Sequence, residues 1–361
     1  MRRFLSRSLP RTSLTTPRAA LVALSLLCSA ASFNAWAAST LLLDATGDAA
    51  SRASTAASVF KTRDAAALKG IRKVAINSFQ IDFVTRSSAT AQTVGFANTG
   101  RANASLYYNL TGLAPADFQA ITDQLFTQFT TALAQQGYEV MSREQMNANA
   151  SYRKMSSEAA AFPMSRSTRG GEAMVYSPSG VPLLRMMSEG TKDASMFGLV
   201  GAMVGAGSMG MMDMAMLPTE LNATVLDARF SLNYVDMASN TSSFLGRLSG
   251  SAVASAKLQP TLAAESTVLH VRSATAGTTI ELQTALVLQG NAIREVKDTT
   301  ATADTVGVAT VNVLAALAGI NSSSSTKTMS AMADPAEYRS VVGSNLATAN
   351  DMMVSRLVAG R

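Results

Sequence analysis

Between Arg72 and Val84 the chain is rich in β-branched and aromatic residues, and Phe79, Ile81 and Phe83 alternate with polar neighbours. That period of two predicts a strand. The polar stretch 85–109 that follows reads as a long loop or hairpin. The period then lengthens. Phe118, Ile121, Leu125, Phe129 and Ala132 or Leu133 fall on one face between Pro115 and Gln136, which predicts an amphipathic helix. Pro115 suits its first turn and Gly137 ends it. Tyr138 to Met141 returns at once as a strand, so the three segments form an α/β unit whose helix buries one face.

Further along, Met146 to Ala161 reads as another helix. The stretch 162–180 has no period, holds Pro163, Gly170, Gly171 and Pro178, and reads as loop. From Ala223 to Asp236 the period of two comes back, with Leu226, Ala228, Phe230, Leu232 and Tyr234 on one face. Ser251–Leu258, Thr267–Arg272, Thr278–Gln289 and Ala292–Lys297 are further strand candidates, with Gly277 and Gly290-Asn291 as turns. Ser322 to Ser325 is a low-complexity loop. The last helix carries its own signals: Asp334 as cap, Pro335 at the first position and Glu337 completing a capping box. Its stripe is Tyr338, Val342, Leu346, Ala349, Met353 and Leu357. The expected fold class is therefore α/β (α+β), a mixed sheet packed by amphipathic helices. One domain spans 72–361, interrupted by a Gly/Met-rich apolar insertion at 196–217. An Ala/Ser/Thr-rich lead-in over 38–71 is expected to be flexible or helical.

Two uncharged runs do not fit either period. One is the 17 residues from Met196 to Met212; the other follows Asp304 and ends at Ile320. Whether either of them, 196–212 or 305–320, enters a membrane is not decided by the pattern. The first is too short for a lone membrane helix, since 17 residues rise about 26 Å against a hydrocarbon core of about 30 Å.

The N-terminus changes the charge argument. Residues 1–37 contain Arg2, Arg3, Arg7, Arg11 and Arg18 and no acid, then an apolar core from Ala19 to Ala31, then Ala35-Trp36-Ala37. Basic, apolar and small-residue regions in that order describe a secretory signal peptide cut after Ala37. Of 30 Lys and Arg, five belong to this leader, which leaves 25 against 24 acids, a net of +1. The basic balance is a property of the leader, so no electrostatic case remains for a nucleic-acid partner. The lone cysteine, Cys28, lies in the leader too, and its surroundings do not suit lipidation. The exported chain is expected to hold no disulfide and to depend on its core.

Candidate chemistry concentrates in the first apolar run. Gly205-Ala-Gly-Ser-Met-Gly210 matches the glycine pattern of a dinucleotide-binding turn. Its context fails: Gly201 interrupts the preceding strand, Pro218 follows eight residues after Gly210, and Asp227, the acid at the right distance, lies on an alternating strand. Ser208 in Ala206-Gly-Ser-Met-Gly210 has the form of a nucleophile elbow, which needs a histidine base. The single histidine, His270, sits between Leu269 and Val271 on a strand. One histidine also excludes a His-based metal site.

Nine of the 20 methionines fall between Met186 and Met216. Thioethers can hold Cu(I), which makes a periplasmic copper-binding protein the first alternative and a nucleotide-cofactor enzyme using GAGSMG the second. Methionines without His or Cys beside them fit an adaptable apolar contact better. Glycines in the same run permit close backbone approach. The segment is therefore read as a self-association surface carried by Gly198, Gly201, Gly205, Met203, Met209, Met211 and Met212, with no catalytic, cofactor or metal residue.

Lys73-Val-Ala-Ile-Asn-Ser-Phe79, the helix end Leu133-Ala-Gln-Gln-Gly137-Tyr-Glu-Val140 and Arg143-Glu-Gln-Met146 together resemble the periplasmic α/β domain of the curli-secretion channel (CsgG-like) family. They are also similar to the N-terminal domain of TolB-like proteins. The resemblance covers mainly residues 72–146. It implies an exported, non-enzymatic, ring-forming homo-oligomer in contact with the outer membrane of a Gram-negative bacterium, serving secretion or envelope assembly. It brings no catalytic residue or cofactor. The lipid-anchoring cysteine of that family has no counterpart in this chain.

Overall fold

The computed structural model describes residues 40–94, 101–184, 208–240, 253–264, 266–300, 308–310 and 324–361. The fold class is the expected one: a mixed sheet with helices against it. The sheet begins earlier than the sequence pattern suggests. β1 (Thr40–Leu42) pairs in parallel with β12 (Ala285–Val287). The lead-in is helical where α1 (Ala49–Val59) forms, with Asp48 capping it through Ser51 N. It then continues as β2 (Phe60–Thr62), and Ala56, Val59, Phe60 and Leu68 are all buried in the core. The segment is an integral part of the domain.

The centre of the sheet is β3 (Lys73–Val94), which runs on well past Val84. Residues 86–94 pair with β4 (Arg101–Thr111) as an antiparallel hairpin, so the polar stretch takes the hairpin form. On the same edge the first half of β3 pairs in parallel with β8 (Thr224–Asn240). β8 then pairs antiparallel with both β9 (Val253–Leu262) and β10 (Val268–Arg272). β10 pairs with β11 (Gly277–Leu282), which reaches β2. Beyond β4 come β15 (Ser324–Ala333), β13 (Ile293–Asp298) and β14 (Val308–Thr310). Ser324 and Ser325, expected in a loop, instead open β15 and pair in parallel with Asn103 and Ala104. Of the second apolar run only 308–310 is among the described residues.

One face of this sheet is dry. Phe79, Ile81 and Phe83 alternate onto it from β3, and Leu226, Ala228, Phe230 and Leu232 from β8. Two helices cover it. α2 (Pro115–Gln135) buries Phe118, Ile121, Leu125, Phe129 and Leu133, the stripe expected of it. α6 (Pro335–Ala359) buries Tyr338, Val342, Leu346, Ala349, Met353 and Leu357. The Phe79 ring lies 5.4 Å from Phe126, 5.5 Å from Phe129 and 5.7 Å from Phe230, within aromatic pairing range. Gly137 takes φ +79 just past α2, the left-handed conformation that ends a helix at little cost to glycine.

Three local expectations are corrected. Met146 to Ala161 is not one helix. α3 (Arg143–Ala148) stops at Asn149, whose backbone is extended and whose side-chain Oδ1 caps α4 (Ala150–Ser157) by accepting from Tyr152 N at 2.8 Å. Residues 162–180 are not all loop, since β6 (Met164–Thr168) and β7 (Gly171–Tyr176) form a two-residue hairpin whose β7 joins the free edge of β3. At α6, Asp334 caps Ala336 N and Glu337 N as expected, but the Glu337 carboxylate accepts from Arg294 Nε at 3.1 Å and completes no capping box.

Candidate functional site

The other face of the sheet is polar through its middle. Strand alternation places Ala75 and Val225 on this face, where they meet Met146, Tyr152 and Met155 of α3 and α4 and Leu217 and Leu221 of α5 (Ser208–Leu221). Beyond that small apolar cluster the same face carries charges. Asp82, fully buried, accepts from Arg229 Nε at 2.9 Å, from Arg229 Nη2 and from Arg166 Nη1 at 3.3 Å. One carboxylate thus lies between two guanidinium groups, one from β8 and one from the β6–β7 hairpin. Asp227, also buried, accepts from Asn77 Nδ2 at 2.6 Å and from Arg272 Nη2 at 2.6 Å. Asn77 reaches it because a register shift between Ile76 and Ser78 makes Asn77 an extra residue against β8.

Arg272 has a second contact that explains how the Met-rich helix is held. α5 contains Pro218, and a proline gives its helix no N–H for the carbonyl four residues back. That carbonyl belongs to Met214, and Arg272 Nη1 donates to it at 3.2 Å. The arginine fills the acceptor the proline leaves open while its other nitrogen holds Asp227. Lys154 Nζ to Asp213 Oδ2 at 2.7 Å and Asn149 Nδ2 to Glu220 Oε2 at 3.0 Å fix α5 to α4 from the other side. The helix continues to Leu221, three residues past Pro218, so the proline does not end it there as the sequence pattern suggests. Asn222, with φ +46, follows in the left-handed conformation common at helix ends.

His270 faces this stripe from β10, directly across from Asp227. Burial lowers its pKa from the ordinary 6.5; the Asp227 carboxylate opposes that shift and Arg272 adds to it.

Of the predicted self-association residues, Met209, Met211 and Met212 lie in the first turns of α5, whereas Gly198, Gly201, Met203 and Gly205 lie outside the described residues. In the rest of α5, Leu217 is buried and Met216 is exposed. The dinucleotide reading finds Gly210 inside a helix and Asp227 committed to Asn77 and Arg272. Among the described residues no cluster of three His, Cys, Asp or Glu is placed to hold a metal ion, and no helix is long and apolar enough to cross a membrane. Sequence reasoning missed Asp82, Arg166 and Arg272. The available signal was a charged residue within an otherwise apolar alternation, as at Asp82 between Ile81 and Phe83.

No known protein family, characterised protein or solved structure matches this chain.

Proposed function

We propose that this chain is an exported, non-enzymatic envelope protein that self-associates through its Met/Gly segment and serves secretion or assembly at the outer membrane. The observation that carries this reading is the docking of α5. Its inner side is fixed by Arg272, Lys154 and Asn149 and by burial of Leu217 and Leu221, while Met216 is left exposed. The helix held in this way begins with residues 208–212, the end of the uncharged run. Uncharged runs of this size are tolerated on soluble proteins mainly as contact sites. The two buried carboxylates of the second face, Asp82 and Asp227, are occupied by Arg166, Arg229, Asn77 and Arg272, which favours a structural role for them over a catalytic one. The leader, the resemblance to the curli-secretion channel family and the near-neutral remainder of the chain fit an envelope role without a nucleic-acid partner.

Cell fractionation followed by N-terminal sequencing tests the location. The protein should come from the envelope fraction and begin at Ala38. Recovery of an intact Met1 from the envelope, or of all the protein from the cytoplasm, would contradict the proposal.

A further inference from the structure

Arg143 differs from three other half-buried arginines. Arg166, Arg229 and Arg272 each hold a carboxylate. The Arg143 guanidinium has none among the described residues. Its Nη1 donates to the Tyr152 hydroxyl at 2.6 Å and approaches the Met146 thioether at 3.6 Å, and its Cζ lies 5.6 Å from the centre of the Phe126 ring. Its Nη2 is buried and has no acceptor among the described residues. Glu144, the neighbouring acid, is exposed, and its pKa is lowered first by a hydrogen bond with Ser142. The place is also particular. Phe126 comes from α2 on the dry face, whereas Met146 and Tyr152 come from α3 and α4 on the other. Arg143 therefore sits at the seam where the two layers meet beside β5 (Glu139–Val140).

A desolvated cation without a counterion destabilises the protein that holds it. Such a group, with the Nη2 donors left over, is complete only when an acceptor arrives. One guanidinium matches the single charge and planar shape of a carboxylate, whereas a phosphate dianion calls for more than one cation. The phenyl ring and thioether on either side suit a carboxylate borne on an apolar body. We propose that Arg143 and Tyr152 form a binding site for an apolar carboxylate at this seam, separate from the self-association segment.

Thermal unfolding of the full chain, measured in chloride, in sodium benzoate and in sodium phosphate at equal ionic strength, tests this. Benzoate should raise the melting temperature of the parent saturably, by about 2 °C or more, and phosphate should do less. Arg143→Met should melt above the parent in chloride, because it removes the unpaired charge, and should ignore benzoate. Tyr152→Phe, which removes the hydroxyl that holds the guanidinium, should melt lower in chloride and respond less to benzoate than the parent. It keeps the test decisive should Arg143→Met not fold. An Arg143→Met protein that melts below the parent, a parent indifferent to benzoate, or phosphate matching benzoate would each overturn the proposal.

Discussion

The two faces of the central sheet differ in what would be lost by changing them. On the dry face Phe79 packs against three aromatic rings, and its contribution follows from buried area and close packing. Three residues along the same strand, on the opposite face, Asp82 is equally buried but satisfies Arg166 and Arg229. One face is held chiefly by apolar packing. The other is stable only while every charge keeps its partner. Deleting one member from each should cost a similar amount, about 3–5 kcal/mol for Phe79→Ala by cavity formation and about 3–5 kcal/mol for Asp82→Ala by stranding two guanidinium groups. Urea unfolding then separates the two by rescue. Replacing Asp82, Arg166 and Arg229 together by Leu, Met and Met should recover most of the loss, because the charges disappear as a set. No substitution of a neighbour should restore Phe79→Ala. If the triple variant is no better than Asp82→Ala, the network is not a closed set of pairs.

A smaller effect is expected at Arg272. Arg272→Met should cost about 1.5–3 kcal/mol, the range for hydrogen bonds to a charged group. Part of that belongs to the carbonyl that Pro218 leaves open. Pro218→Ala returns an N–H to Met214 O, so Arg272→Met should cost about 1 kcal/mol less in that background. Strictly additive costs would mean that Arg272 does not serve the helix.

The weakest effect is the pH response of the stripe. The folded pKa of His270 lies below its ordinary value, so the unfolded chain binds the proton more readily. Stability should therefore fall as pH drops below about 6.5, by at most about 1.4 kcal/mol per pH unit for a single proton. Asp44, Asp298 and Asp334, whose pKa values lie below the carboxylate reference of 3.8, lose their contributions only at lower pH. His270→Gln should flatten the curve between pH 5 and 6.5; an unchanged slope would assign it to other groups.

The contrast between faces also explains what the sequence could reveal. The dry face imposes a period, and the strand at Phe79, the helix stripes of α2 and α6 and the alternation from Leu226 to Tyr234 were all legible from it. The second face imposes pairings across distant positions, such as Asp82 with Arg166 and Arg229, and those leave no local mark. β6 was missed because its residues, Met164 to Thr168, alternate only between half-buried and exposed. Its turn partner Gly171 carries clearer information. At φ +130 a Cβ there would lie 2.0 Å from Arg86 O, so only glycine lets the hairpin close against β3. The lead-in was underestimated because alanines at helical spacing look alike whether buried or exposed, yet Ala56 is wholly buried. Of the candidate site, the Met/Gly segment stood out by composition, whereas Arg272 and its carbonyl partner depend on geometry alone.

Native mass of the protein, measured by light scattering beside a Gly205→Leu variant, addresses self-association most directly. The parent should be an oligomer, and the variant should be smaller in mass while unfolding at a similar temperature. A leucine in the uncharged run should block the close backbone approach that its glycines permit. A monomeric parent, or a folded variant with the parent's mass, would contradict assembly through this segment.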